Sequence, residues 1–299
     1  MCCYVLADEP DDCGESPLWD VRSSSLYWID IVGRRISRYD WPSRSIKTIG
    51  TDIDVSGVAL NESGGLVMVA SDGVWLWDDR ARRTAVVRGT EDFPMALNDC
   101  IADPQGRLLS GTCYFDSHRD DFMPGKLLSI DERGAVSVLD EGFTLANGLG
   151  FSPDCRTLYF TDSARREIFA YDYDDQSGSV RNRRTFVKVP DTEGLPDGLT
   201  VDAQGYVWSA QWFGSCICRY DPDGRLERRI PVPAKQTSSI TFGGPDLTDV
   251  FITSAGLSDA LPLAPPGYDP YTGNVGGQLF HANFDIQGKA EFRCRIGSH

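Results

Sequence analysis

Histidine is scarce in this sequence, with three residues in 299: His118, His281 and His299. That scarcity argues against a His-ligated zinc or iron site and against a serine-hydrolase triad, and no G-x-S-x-G elbow is present. No apolar run approaches the roughly 20 residues of a membrane span. The opening stretch MCCYVLADEPDDCGES lacks the basic and long apolar regions of a secretion signal. Positive charge is also in short supply. Against 44 Asp and Glu stand 29 Lys and Arg, a formal net charge of -15, which speaks against nucleic acid or an anionic membrane as partner. The acidic residues form no block of five like charges, so most of them read as a solvated surface. Paired C-x-x-C motifs are missing, and the nine cysteines, an odd number in a large chain, read as reduced thiols of a cytoplasmic protein. No G-x-G-x-x-G follows a strand, which removes the usual dinucleotide fingerprint.

Sustained helical periodicity is the last absence, and it turns attention to what is there. Short apolar and aromatic strands alternate with Gly/Asp/Pro/Ser turns. The pattern returns at Ser24–Asp40, Gly64–Asp78, Gly106–Asp131, Arg156–Asp172, Gly205–Asp221 and Thr248–Asn283. Each segment is a strand, a polar loop and an alternating strand, and most close on Asp. A recurrence of about forty to fifty residues is that of propeller blades. Six such repeats of roughly four strands predict an all-β, six-bladed β-propeller, with residues 1–299 forming a single domain. The last blade carries a Pro/Gly-rich insertion, Leu261–Gly277.

In a propeller, residues at equivalent repeat positions converge on the axis. Just ahead of the expected innermost strands lie Glu15 in GESPLW, Asn98 and Asp99 in LNDCIAD, Asn147 in ANGLGF and Asp197 in LPDGLT. Glycines beside Glu15, Asn147 and Asp197 permit close backbone approach at a crowded axis. Two carboxylates with one or two amide oxygens form a hard, all-oxygen set suited to Ca²⁺, Mg²⁺ or Mn²⁺. Taken one at a time, Asn or Asp before Gly is ordinary turn chemistry. Spacing alone leaves both readings open.

The phrases GESPLWD, NDCIADPQGRLLSGT, NGLGFSPDCRTLYFTDS, PDGLTVDAQGYVWSAQW and SSITFGGPDLTDVFITSA, in this order over nearly the whole chain, resemble the family of regucalcin (senescence marker protein), gluconolactonase and sugar-lactone lactonases. The resemblance implies a propeller with one axial divalent cation, its identity (Ca, Mg, Mn or Zn) left open, that hydrolyses aldonolactones. It puts the metal ligands on Glu15, Asn147 and Asp197. Asp197 then also serves as catalytic general base, with Asp99 in reserve, and Asn98 binds the sugar substrate. The family's R-x-N-D motif is incomplete: Ala96 stands where the Arg is expected, which puts simple gluconolactone preference in doubt. Asp116, His118, Arg119 and Asp121 are candidate mouth residues that read first as a solvated loop. Trp212, Phe213 and Tyr114 read first as packing residues, and His281 as an outward strand residue. The competing classes are a paraoxonase- or arylesterase-like hydrolase of non-sugar esters and a non-catalytic calcium-binding propeller.

Overall fold

The computed structural model describes residues 3–78, 83–90, 94–113, 124–256 and 263–297. Tyr114 and the four mouth candidates lie outside the described residues. Six antiparallel sheets, each built on four strands, form the blades, and no helix occurs among the described residues. The innermost strands are Gly14–Asp20, Val55–Asn61, Leu97–Ala102, Ala146–Phe151, Leu195–Val201 and Thr237–Gly243. Each touches the innermost strands of both neighbouring blades, and the sixth meets the first. The expected six-bladed propeller is what the chain forms.

The strands read as unbroken apolar runs because both faces are buried. In Ser25–Asp30, Leu26 and Trp28 face the seam with blade 6, whereas Tyr27 and Ile29 face the seam with blade 2. Side chains alternate across a strand, so one strand feeds two seams. Six hydrophobic clusters lie one to each seam.

Two long-range closures complete the ring. Tyr4–Ala7 pairs with Leu279–His281 and supplies the outermost strand of blade 6, so that blade is made from both ends of the chain. His281 is not outward: it is buried, hydrogen-bonded to Tyr4 and, at 2.7 Å, to Asp249. The tail from residue 285 to 297 crosses the ends where the inner strands finish. It pairs with Leu60 and Asn61, bonds Gly106, Ala203 and Leu247, pairs Arg293 with Asp20, and sets Phe292 edge-on to Phe151. It thereby touches all six blades and covers one mouth of the axial channel.

The recurring Asp is a turn device. Asp202 accepts the backbone N–H groups of Gln204 and Tyr206 through Oδ1, and Gly205 takes φ 86°. Its Oδ2 accepts from Trp208 Nε1 at 2.9 Å and from Arg219 at 2.6 Å. Asp202 and Arg219 are 0 % and 4 % exposed. Removing the carboxylate alone takes from a buried guanidinium its main counter-ion and leaves it the half-buried Glu227 at 3.3 Å, which costs up to about 3–5 kcal/mol. Asp202→Ala is therefore expected to lower unfolding stability by that amount in a denaturant titration. A loss under ~1 kcal/mol would show that Glu227 and Gln204, which Arg219 also bonds, suffice to hold it.

Candidate metal centre

Every inner strand carries a register shift in its first half: between Glu15 and Leu18, Val55 and Gly57, Leu97 and Cys100, Ala146 and Leu149, Pro196 and Leu199, Thr237 and Ser239. In each case one extra residue is accommodated. A bulge of this kind bends the strand and re-aims a side chain. The sequence reading set the candidate residues in loops ahead of the inner strands. They are instead inside those strands, at the bulges. Repetition of the bulge in six blades gives one ring of positions, Ser16, Ser56, Asn98, Asn147, Asp197 and Ser238, with Glu15 one residue ahead of it in blade 1.

Glycine makes room for this ring. A Cβ on Gly148 would lie 2.5 Å from Leu199 N, and one on Gly198 would collide with the Ser239 side chain. No larger residue fits at either place.

Glu15, Asn98, Asn147 and Asp197 line one cavity of about 140 Å³, together with Cys13, Ile31, Leu145, Ser163, Leu195 and Trp212. Asp99 lines a separate axial cavity of about 50 Å³ beyond it, which the tail residues Glu291 and Phe292 close from the other mouth. Asn98 donates through Nδ2 to Ala146 O and to Asn147 Oδ1, each at 2.7 Å. Trp212 belongs to the cavity wall rather than to the blade core, and its indole N–H is sealed without an acceptor among the described residues. Phe213 is buried and packs on Tyr268, in the final insertion, as a packing residue does.

Charge is crowded here. Burial first, then the charge of Asp99, pushes the Glu15 carboxyl up to about 8, against a hydrogen bond from Ser16 N–H. Asp197 is raised well above the usual carboxylate range by burial and by the charges of Glu15 and Asp99. Asp99 is pushed up to about 6, mainly by burial. The nearby Cys13 thiol is raised by burial and by the charges of Glu15 and Asp197, which keeps it protonated. No cation side chain is among the cavity residues to balance the acids. Buried carboxylates without counter-charge hold protons until a cation replaces them.

Among the described residues no three His, Cys, Asp or Glu side chains gather as a ligand cluster, so a cation held here would need a third donor of another kind. The Asn147 amide oxygen, in the same cavity, is such a donor. An oxygen-only set carrying two negative charges fits a hard dication. Ser56, Ser163 and Ser238 escaped the sequence reading. The repeat alignment that found Asn147 and Asp197 would have drawn in Ser56 and Ser238, had the bulge been recognised as a shared position.

The SMP-30/gluconolactonase/LRE-like region matches residues 13–256. A pentonolactonase of Haloferax volcanii is 38% identical over 291 residues, covering 95% of this chain and 94% of the relative. The chain belongs to the SMP-30/gluconolactonase/LRE-like family. Among solved structures, a luciferin-regenerating enzyme superposes with a TM-score of 0.88 at 26% identity, covering 98% of this chain and 100% of the other. A calcium-binding protein, regucalcin, of Agrobacterium tumefaciens superposes with a TM-score of 0.85 at 26% identity, covering 99% and 98%.

The raised carboxyls set the sign of a pH effect. Glu15 moves from 4.5 unfolded to about 8 in the metal-free fold, so the native state holds the extra proton between those values. Its contribution to stability is present at low pH and is lost as pH rises through that window. Asp11, lifted by burial to about 7, adds to the same slope. The metal-free protein is thus expected to melt lower at pH 8 than at pH 6, and saturating Ca²⁺ or Mn²⁺ to offset the loss. Glu15→Gln should flatten the metal-free slope, leaving the shares of Asp11 and Asp197; an unchanged slope would remove the charge-crowding argument.

Proposed function

We propose that this protein is a lactonase that opens a sugar lactone to the corresponding aldonic acid, with Glu15, Asn147 and Asp197 holding a divalent cation. The observation that supports the reading best is the convergence of two carboxylates, Asp197 buried and Glu15 half-buried, and an amide oxygen on one cavity whose lining holds no cation side chain. The 38% identity with a pentonolactonase adds to it.

A hard dication at this place supplies Lewis-acid polarisation of the ester carbonyl. The rest falls to the chain. Asp197 accepts a proton from the attacking water as the water oxygen bonds to the carbonyl carbon. It returns that proton to the ring oxygen as the C–O bond breaks, which leaves the open-chain hydroxy acid. Asp99, beyond the cavity wall, is the less direct candidate for this role because it faces the axial cavity instead. Asn98 spends both amide hydrogens on Ala146 O and Asn147 Oδ1, so its carbonyl oxygen is the end left for a substrate hydroxyl.

Ile31, Leu145, Leu195 and Trp212 wall the cavity with apolar surface, and Ala96 stands in place of a guanidinium. Such a cavity suits a small lactone with few hydroxyls to satisfy, and a five-carbon aldonolactone is the first candidate. No helix among the described residues is long and apolar enough to cross a membrane. Cys13, Cys100, Cys155, Cys216, Cys218 and Cys294 are free thiols, which suits a reducing, cytoplasmic compartment.

A pH-indicator assay across pentono-, hexono- and deoxy-lactones and aryl esters tests the reading. The expected outcome is chelator-sensitive opening of sugar lactones, reduced at least about 100-fold by Asp197→Ala. Full activity in that variant would end the catalytic claim, and cleavage of aryl esters alone would replace lactone with ester specificity.

A further inference from the structure

Ser163 has no assigned role, yet it is 2 % exposed, lines the cavity and follows the second strand of blade 4. Its hydroxyl donates to Pro196 O at 2.6 Å and accepts from Asn147 Nδ2 at 2.8 Å. On the other side of Asn147, Oδ1 accepts from Asn98 Nδ2, which also donates to Ala146 O. The network therefore runs Ala146 O, Asn98, Asn147, Ser163, Pro196 O and links blades 3, 4 and 5.

Both ends of this network are backbone carbonyls, which only accept. Ala146 O forces the NH₂ end of Asn98 toward it, so the group facing Asn147 is a donor and Asn147 must answer with oxygen. At the far end, Pro196 O claims the single hydroxyl hydrogen of Ser163. The Ser163 oxygen is then left as an acceptor, and Asn147 must face it with NH₂. The two ends dictate the same amide orientation independently. The carbonyl that Ser163 holds belongs to the residue before Asp197, so one hydroxyl fixes the amide and tethers the carboxylate strand.

We propose that Ser163 is a positioning residue that holds the Asn147 amide with Oδ1, rather than Nδ2, toward the hub, and so sets the cation affinity of the centre. This inference rests on the cation site proposed above. Without Ser163 the Asn147 NH₂ loses its acceptor and only the Asn98 end still holds the amide, so rotation to present a donor, which repels a cation, becomes less costly. Partners of this kind, one bond removed from a metal, typically change affinity 10–100-fold.

The test is calorimetric titration of the metal-free protein with Mn²⁺ and Ca²⁺, on wild type, Ser163→Ala, Asn147→Asp and the double variant, with a thermal midpoint for each metal-free form. In the wild-type background Ser163→Ala is expected to weaken binding about 10- to 100-fold. A carboxylate at position 147 offers oxygen in either orientation, so in the Asn147→Asp background the same change should cost less than about threefold. A purely structural role predicts equal losses in both backgrounds, tracking the thermal midpoints, and that result overturns the inference. Wild-type affinity in Ser163→Ala overturns it as well while leaving the cation site intact. Absence of binding by the wild type removes the site itself, and the inference with it.

Discussion

Unbalanced negative charge at a desolvated hub is the constraint on which this molecule is organised. Glu15, Asp197 and Asp99 each sit where burial disfavours the ionised form; the charge of Asp99 raises the other two further, and that of Glu15 raises Asp197. Such an arrangement costs stability unless protons or a cation compensate it. A fold retains that cost only when rigid elements hold the groups in place. Here the holders are inner strands, whose bulges aim side chains at the axis and whose flanking glycines let neighbouring strands close in. The proposed donors come from blades 1, 4 and 5, so the candidate centre is assembled only when the ring is closed.

Closure is accordingly overdetermined. The N-terminal strand completes blade 6, and the tail ties all six blades together across the mouth opposite the candidate centre. With that mouth covered by Phe292 and Glu291, the hub is shielded from water on one side, which sharpens every electrostatic effect within it. Seams packed on both faces of each strand give the rigidity that placing three oxygens around one ion requires.

Much of this was legible from local chemistry. Asp-x-x-Gly turns such as Asp202 to Gly205 and the unbroken apolar strands led to the six blades, because turn geometry and two-sided burial leave local marks. Asn147 and Asp197 stood out because glycine follows each. What local pattern does not carry is pairing across distance. Nothing near Tyr4 announces Leu279, and the burial of His281 follows from that pairing alone. The bulges were likewise invisible, since their register depends on the partner strand, and this is why the donors were set ahead of the strands. Ser163 is an ordinary residue in the phrase FTDS until Asn147 and Pro196 O are brought to it. Trp212 read as packing because an aromatic strand residue gives no local sign of which cavity it borders.

The most direct measurement is an anomalous difference map from crystals soaked in Mn²⁺ near neutral pH. The account predicts one peak on the axis, about 2–2.6 Å from oxygens of Glu15, Asp197 and the Asn147 side chain. A hub without a peak, or an ion held by other residues, would contradict it.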